Sequence, residues 1–188
     1  MKQDITQTLV DEHRLILRML DLLEGAAART AAGSPDGLEF YLDAVDFIRN
    51  YADRFHHAKE EDILFAALVK NGMPRENSPV AAMLLEHDRG RGYVKAMEAA
   101  VKAALQGVSG QLPAIAGNAR EYLEMLREHI AKEDSILYPL AERVIPEVMR
   151  EEILDGYALA EARNAPTFAR SYRELVERYE AEAADRAA

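Results

Sequence analysis

Apolar residues recur at intervals of three and four along almost the whole chain, and no segment alternates as a strand would. The pattern predicts an all-α protein. A first helix is expected from about residue 4 to residue 32, and Ser34-Pro35 supplies the cap and the proline that commonly begin the next helix. The second helix is expected to stop at Asn71-Gly72-Met73-Pro74.

Ser78-Pro79 repeats the cap-and-proline signal and is expected to start a third helix, which extends to about Gln106. A fourth helix follows from about Pro113 to Val144, with Pro139 placed late enough to bend it. Helices roughly 40–50 Å long that are joined by short loops must run antiparallel. The sequence therefore predicts an up-down-up-down four-helix bundle over residues 1–145.

Residues 146–188 are expected to form a C-terminal helical extension of one or two helices that packs on the bundle. Asn164-Ala165-Pro166 is the expected break between them. A stripe of apolar and aromatic residues at helical spacing supplies a docking face, made of Phe168, Tyr172, Leu175, Val176 and Tyr179.

The chain contains an internal repeat. Residues 56–65 (HHAKEEDILF) match residues 129–138 (HIAKEDSILY), and residues 11–14 (DEHR) match 86–89 (EHDR) more loosely. Two helical hairpins thus resemble each other, and each brings one lone histidine and one His-x-x-x-Glu motif to the same depth.

Residues at positions i and i+4 share one helix face, with Cβ atoms about 5–6 Å apart. Histidines and glutamates that fall on apolar stripes are the candidate metal ligands, namely His13, His56, Glu60, His87, His129 and Glu133. His57 falls on a polar stripe and aligns with Ile130 of the repeat, so His57 and Glu61 are expected at the surface or behind the ligands. The alternative register, His57 with Glu61, also has the i,i+4 spacing and stays open.

Buried carboxylates without partners cost several kcal/mol each, and no matching set of inward lysines or arginines is apparent. Metal cations would neutralise them. Six ligands exceed the needs of one tetrahedral zinc. Two bridging glutamates would leave His13 and His56 on one metal and His87 and His129 on the other. Imidazole and carboxylate suit iron, manganese or zinc, so the pattern defines a dinuclear site better than it defines the element.

Composition narrows the function further. The absence of cysteine excludes disulfides, iron–sulfur clusters and thiolate zinc sites. A formal net charge of −10 argues against nucleic acid and membrane surfaces as partners. No run approaches the roughly 20 apolar residues of a membrane span, and the first residues lack the pattern of a signal peptide. A cytoplasmic protein is expected.

At its candidate ligands the chain resembles the hemerythrin-like family, also called the HHE cation-binding domain family. The resemblance covers about residues 5–143 and rests on His13 and on the runs 56–61 (HHAKEE), 86–91 (EHDRGR) and 129–133 (HIAKE). It implies a cofactor of two iron ions with an oxo or hydroxo bridge, although other divalent metals would also fit. Such a centre binds dioxygen or another small diatomic ligand, or cycles between ferrous and ferric states.

Two departures bear on that expectation. True hemerythrins have a fifth histidine one turn after the one that matches His87, where this chain has Arg91. The acid on the fourth helix is Glu133 rather than a longer-spaced aspartate. Both departures favour the bacterial members with four histidines and two glutamates over reversible oxygen carriers. The family's iron–sulfur repair proteins share this ligand set, but the cysteine-bearing N-terminal segment associated with them is not found in this sequence.

Three functions remain open. The first is a di-iron protein responsive to oxygen, iron or nitric oxide. The second is a di-iron enzyme, such as a peroxidase, an oxidase or a nitrosative-damage repair factor. The third is a structural metal site with a surface on the C-terminal helices for a protein partner or self-association. Arg91 has two interpretations, either a charged group that gates the site or steadies a bridging carboxylate, or an ion pair with Glu98.

Overall fold

The computed structural model describes residues 3–187, except the side chain of Ala187. The chain is 83% helical, and these residues contain no strand. The helices are α1 (Gln7–Ala31), α2 (38–70), α3 (Pro79–Leu105), α4 (112–144), α5 (Arg150–Glu161) and α6 (Phe168–Ala187), with a 3₁₀ turn at Glu147–Met149 between α4 and α5. The all-α prediction is confirmed.

Helices α2 and α4 change their hydrogen-bonding pattern along their length. Helix α2 is π-helical over Ile48–His57 and Glu60–Leu64, and α4 is π-helical over Glu133–Leu137. A π turn, with its i→i+5 hydrogen bonds, advances each residue through a smaller angle than an α turn does. The side chains that follow therefore change face. A 3.6-residue period continued from His129 and Glu133 places Ile136 on the inward stripe of α4, but Ile136 is 58% exposed, whereas Leu137 is 1% exposed.

The two cap-and-proline signals have different outcomes. Ser78 caps α3 as predicted, because its hydroxyl accepts a hydrogen bond from the Ala81 amide at 3.2 Å. The predicted start of α2 at Ser34-Pro35 is wrong. The Ser34 amide instead donates to the carbonyl of Arg29 and so closes α1, and α2 begins at Leu38 behind Gly37, whose φ is +75°.

The apolar core divides into two clusters with a polar layer between them. Along α1, Leu9 belongs to one cluster and Ile16 to the other, and His13 lies between them. Along α3, Met83 and Val94 flank His87 in the same way. All four long helices thus contribute buried polar residues to one layer enclosed by apolar side chains.

The predicted docking stripe of the C-terminal extension contacts α2. Val176 is fully buried, and the rings of Phe168, Tyr172 and Tyr179 lie 4.8–5.6 Å from rings of α2. Helix α5 adds Ile153 and Tyr157 to the core cluster around Leu9. In the described part of the chain, no helix combines the length and the apolar character that a membrane span requires.

Arg150, at the start of α5, is fully buried and ties the end of α4 to the N-terminus of the chain. Its guanidinium donates hydrogen bonds to the carboxylate and the carbonyl of Glu142 and to the carbonyl of Gln3, each at 2.6 Å. A fourth bond reaches the carbonyl of Ile145 at 3.3 Å. These contacts fix the turn between α4 and α5.

Replacement of Arg150 by Met should lower the free energy of unfolding by about 3 kcal/mol, because the buried carbonyls and one oxygen of the Glu142 carboxylate lose the hydrogen bonds that Arg150 donates. Urea denaturation measures the change. The matched control is Arg170→Met, since Arg170 is 67% exposed and pairs only loosely with Glu174 at 3.7 Å. The control should change stability by less than about 0.5 kcal/mol. Equal effects of the two substitutions would contradict this role for Arg150.

Candidate metal centre

The six predicted ligands meet in the polar layer between the two core clusters. Each is at most 2% exposed, and they come from α1, α2, α3 and α4 (His13, His56, Glu60, His87, His129 and Glu133). Glu133 lies 3.4 Å from Nε2 of His13 and 3.2 Å from Nε2 of His129. Glu60 lies 3.7 Å from Nε2 of His56 and 3.6 Å from Nε2 of His87. Each carboxylate therefore touches one histidine from each of the two predicted pairs.

Three of the four carboxylate oxygens at this point are buried without a hydrogen-bond partner. They are Oε2 of Glu60 and both oxygens of Glu133. Oε1 of Glu60 accepts a hydrogen bond from the hydroxyl of Tyr138 at 2.5 Å. Orphaned carboxylate oxygens facing imidazole nitrogens are a donor set that divalent and trivalent metal ions satisfy. The residues therefore fit a metal centre.

The Nδ1 atom of each of the four predicted histidines contacts a carboxylate on the side away from Glu60 and Glu133. Nδ1 donates to Asp134 from His13, to Glu12 from His56, to Glu61 from His87 and to Glu86 from His129, at 2.7–2.9 Å. Such a partner fixes the ring orientation and directs Nε2 toward Glu60 and Glu133, which is the usual arrangement around metal-bound histidine.

Two lysines bind carboxylates that accept hydrogen bonds from the predicted histidines. Lys59 binds Glu12, and its repeat counterpart Lys132 binds Glu86. Lys59 is fully buried, which the sequence argument did not anticipate, and it also binds Glu161 of α5 at 2.9 Å. Its ammonium thus neutralises an outer carboxylate rather than Glu60 or Glu133.

His57 was expected at the surface or behind the ligands. The surface placement is wrong, because His57 is 7% exposed and its ring stacks on that of His87 at 3.7 Å. The reason is the π segment Ile48–His57, which turns both of its final residues inward. Glu61 follows the prediction, since it lies behind His87 as that residue's hydrogen-bond partner.

Of the two interpretations of Arg91, the ion pair with Glu98 is wrong, and Arg91 contacts Asp53 and Glu61 rather than a bridging glutamate. It does not pair with Glu98, which binds Arg49 and Lys102. Its guanidinium donates to Asp53 at 2.7 Å and to Glu61 at 2.8 Å. Arg91 therefore steadies a carboxylate that orients His87.

Burial and charge set the protonation of the metal-free site. Burial, together with the neighbouring Glu133, raises the pKa of Glu60 well above its usual range. Burial would also raise the pKa of Glu133, but the adjacent His129 and His13 hold it well below that range. Burial works against the charged form of His13, yet Asp134 and Glu133 raise its pKa to about 9. Burial lowers the pKa of His57 to about 4.

A cavity of about 90 Å³ reaches the centre from one side. His57, His87 and His129 form its inner wall, and Arg91 and Asp53 also line it. Gly90 keeps it open, because a Cβ there would lie 2.9 Å from Cε of Met125 and 3.4 Å from Tyr122. The cavity is large enough for a diatomic molecule or several waters, since about 10–15 Å³ of space open to the centre of a water is enough to hold one.

The family model for the hemerythrin HHE cation-binding domain matches residues 4–141. The chain belongs to this family. The match spans the four long helices almost to the end of α4 and includes all six predicted ligands, so the resemblance predicted from the motifs is confirmed.

Curated relatives of this hemerythrin-like chain share part of its length. An uncharacterised protein of Mycobacterium tuberculosis is 23% identical over 157 residues, which are 84% of this chain and 61% of the relative. The iron-sulfur cluster repair protein YtfE of Salmonella schwarzengrund is 31% identical over 141 residues, 70% of this chain and 60% of YtfE. The chain thus matches about three fifths of the length of these relatives. No solved structure matches it.

The metal-free protein should lose stability as the pH rises through about 9. The pKa of His13 is about 9 in the folded chain and about 6.5 in the unfolded one, so protonation stabilises the fold fully below pH 6.5. The loss by pH 10 should be about 3 kcal/mol, since one pKa unit corresponds to about 1.4 kcal/mol. Urea denaturation at pH 6 and pH 10, with His13→Gln as the control, measures it. Identical pH dependence in the two proteins would refute the assignment.

Proposed function

We propose that this chain is a non-haem di-iron protein that reacts with dioxygen or another small diatomic ligand. The observation that carries the proposal is the set of orphaned carboxylate oxygens on Glu60 and Glu133 between four carboxylate-backed imidazoles. The proposed scaffold is the antiparallel up-down-up-down four-helix bundle predicted from the short connections.

Two metals are favoured over one by the contacts of the carboxylates. Each glutamate lies against one histidine of the pair His13 and His56 and one histidine of the pair His87 and His129. A bridging role for both glutamates follows naturally from that position. Two neighbouring groups of donors share Glu60, and within each group the ligand atoms lie within 4.8 Å of one another.

Iron is favoured by the family to which the chain belongs and by the mixed imidazole and carboxylate donors. Two irons would supply the one- and two-electron redox steps that dioxygen or nitric oxide requires. The protein's own residues contribute the rest. Tyr138 holds a proton 2.5 Å from Glu60, and apolar side chains on both sides of the polar layer exclude bulk water.

Small ligands are favoured by the size and position of the cavity beside His57, His87 and His129. Arg91 and Asp53 at its wall form an ion pair, so a neutral diatomic molecule meets a neutralised pair rather than one exposed charge.

A second candidate function is the repair of nitrosative or oxidative damage to iron–sulfur clusters. The likeness to the repair protein YtfE, 31% identical over 70% of this chain, supports it. In that case the di-iron centre would still be the reactive group. A protein partner would be needed in addition, and the acidic extension beyond residue 145 is the proposed contact surface, also for self-association.

The protein purified from iron-replete cells should contain two irons per chain. An aerobic sample should show ultraviolet charge-transfer bands of a bridged diferric centre and should bleach on reduction. Air should restore the diferric spectrum by oxidation, rather than produce an oxygen adduct that releases oxygen under vacuum. Elemental analysis and optical spectra measure these properties. One metal per chain, zinc alone, or a spectrum indifferent to reductant would argue for a structural site instead.

Gly90→Leu should fill the cavity and slow the reaction of the reduced centre with nitric oxide or dioxygen at least about tenfold, while both irons remain bound. Stopped-flow spectroscopy measures the rate. Gly92→Leu is the matched control. Gly92 lies on the same helix as Gly90, and a Cβ at Gly92 would have no atom within 4 Å. Both substitutions improve helix propensity by up to about 1 kcal/mol. An unchanged rate in Gly90→Leu would show that ligands enter elsewhere.

A further inference from the structure

A groove lies on the outside of the molecule between the end of α2 and the C-terminal extension. Its volume is about 730 Å³, compared with about 90 Å³ for the cavity at the candidate metal centre. The lining residues belong to the segments 62–70 and 148–159, so one wall is α2 and the other is α5 with the 3₁₀ turn before it. The six candidate ligands lie elsewhere, in the polar layer between the core clusters.

The floor of the groove is apolar. Gly156 lets α2 and α5 approach each other there, because a Cβ at this position would lie 3.3 Å from Cδ1 of Ile63. Ile153, which also lines the groove, is only 3% exposed. Val148 and Leu159, in contrast, line the α5 side and are 89% and 67% exposed. Exposed apolar side chains grouped in this way, with polar residues at their edge, mark surfaces at which proteins bind partners.

The rim of the groove is acidic. Four exposed carboxylates line it, those of Asp62, Glu151, Glu152 and Asp155. Lys70 also lines the groove, so acids outnumber bases there. Within residues 3–187, none of the four acids is in an ion pair, whereas the exposed Asp11 of α1 pairs with Arg14. The negative charge of the rim is therefore open to a cationic partner.

Helix stability explains two of these acids but not the other two. Glu151 and Glu152 lie in the first turn of α5, where the helix dipole favours an acid. Asp62 and Asp155 lie in the middle of their helices, where aspartate is among the less favourable residues. These two aspartates add negative charge to the groove without stabilising the helices that carry them.

We propose that the groove binds a basic amphipathic helix of another protein. The proposal specifies the contact surface suggested above for the extension and rests on that part of the proposed function, but it does not require a di-iron centre. The groove-lining residues of α5 and the turn before it recur every three or four positions and share one side of the extension, namely Val148, Glu152, Asp155 and Leu159. From Val148 to Leu159 the chain spans roughly 16 Å, or about three helical turns. The matching helix has an apolar residue at each end of such a stretch and lysine or arginine between them.

Charge distinguishes this partner from other occupants of the groove. A second copy of the chain would bring a formal net charge of −10 to an acidic rim, which opposes association. Nucleic acids and anionic lipid surfaces are disfavoured for the same reason. A basic helix would neutralise the rim and cover Val148 and Leu159 at the same time.

Two synthetic helical peptides serve as probes in fluorescence anisotropy with the full chain. Each peptide has two leucines about three turns apart on one face, and the residues between them on that face are lysine in one peptide and glutamate in the other. The lysine peptide should bind at least about tenfold more tightly than the glutamate peptide at low salt. Added salt should weaken its binding, because exposed charges are screened.

Charge reversal in Glu152→Lys/Asp155→Lys should weaken binding of the lysine peptide at least about tenfold. The matched control is Glu39→Lys/Glu124→Lys, since Glu39 is exposed in the first turn of α2 and Glu124 is exposed in the middle of α4. This control makes the same change in net charge outside the groove. It should alter the affinity by less than about threefold.

The apolar contact is tested by Leu159→Gln, which should also weaken binding of the lysine peptide at least about tenfold. Leu85→Gln is its control, because Leu85 is 61% exposed and lies on α3. The control should leave the affinity within about threefold of wild type. Circular dichroism checks that all variants are folded.

Binding of the lysine peptide that only the groove variants weaken would support the proposal. Equal affinity for the two peptides, or equal weakening by groove and control variants, would overturn it in favour of unspecific attraction to an acidic chain. No binding of the lysine peptide would overturn it as well, and a dimer that only the groove variants dissociate in ultracentrifugation would then identify a second copy as the occupant. Iron content separates the two claims, since a chain that binds the lysine peptide but no iron would refute the di-iron centre and leave the groove intact.

Discussion

Burial of a carboxylate without a partner costs several kcal/mol, and this protein places two of them side by side in its interior. Among residues 3–187, no lysine or arginine forms an ion pair with Glu60 or Glu133, and their nearest polar neighbours are imidazoles and the hydroxyl of Tyr138. In the metal-free fold, protonation relieves part of that penalty, because the pKa of Glu60 is raised and His13, beside Glu133, has a pKa of about 9. The apolar clusters on both sides supply the stability that tolerates the remainder, and bound cations would take the place of those protons.

The surroundings of the centre are organised by charge as well as by packing. Each of the four predicted histidines donates a hydrogen bond from Nδ1 to an acid. Two of these acids also bind a lysine, since Glu12 pairs with Lys59 and Glu86 pairs with Lys132. Helix α5 extends this chain of charges on one side only, through Glu161. The C-terminal extension is thus part of the electrostatic environment of the candidate metal centre and not merely a cover for α2.

The sequence was sufficient for the helix start at Ser78-Pro79, although not for the one at Ser34-Pro35. It also predicted which histidines and glutamates meet in the buried layer, because the repeat aligns His56 with His129 and Glu60 with Glu133. The helical period placed His57 and Ile136 on the wrong helix face, because a 3.6-residue repeat was continued through segments that are π-helical. No residue type marks a π turn in the sequence. The supporting acids could have been found. Glu12 and Glu86 precede the two lone histidines in both copies of the repeat, and Glu61 and Asp134 follow the two ligand glutamates.

The pairing of histidines with acids has a mechanical consequence. His56 and His129 are supported from within their own hairpins, by Glu12 and Glu86, whereas His13 is supported by Asp134 and His87 by Glu61, across the seam between the hairpins. Bridging ligands would cross the same seam. A change of charge at the centre would therefore act on both hairpins at once, because each hairpin holds an acid that supports a histidine of the other.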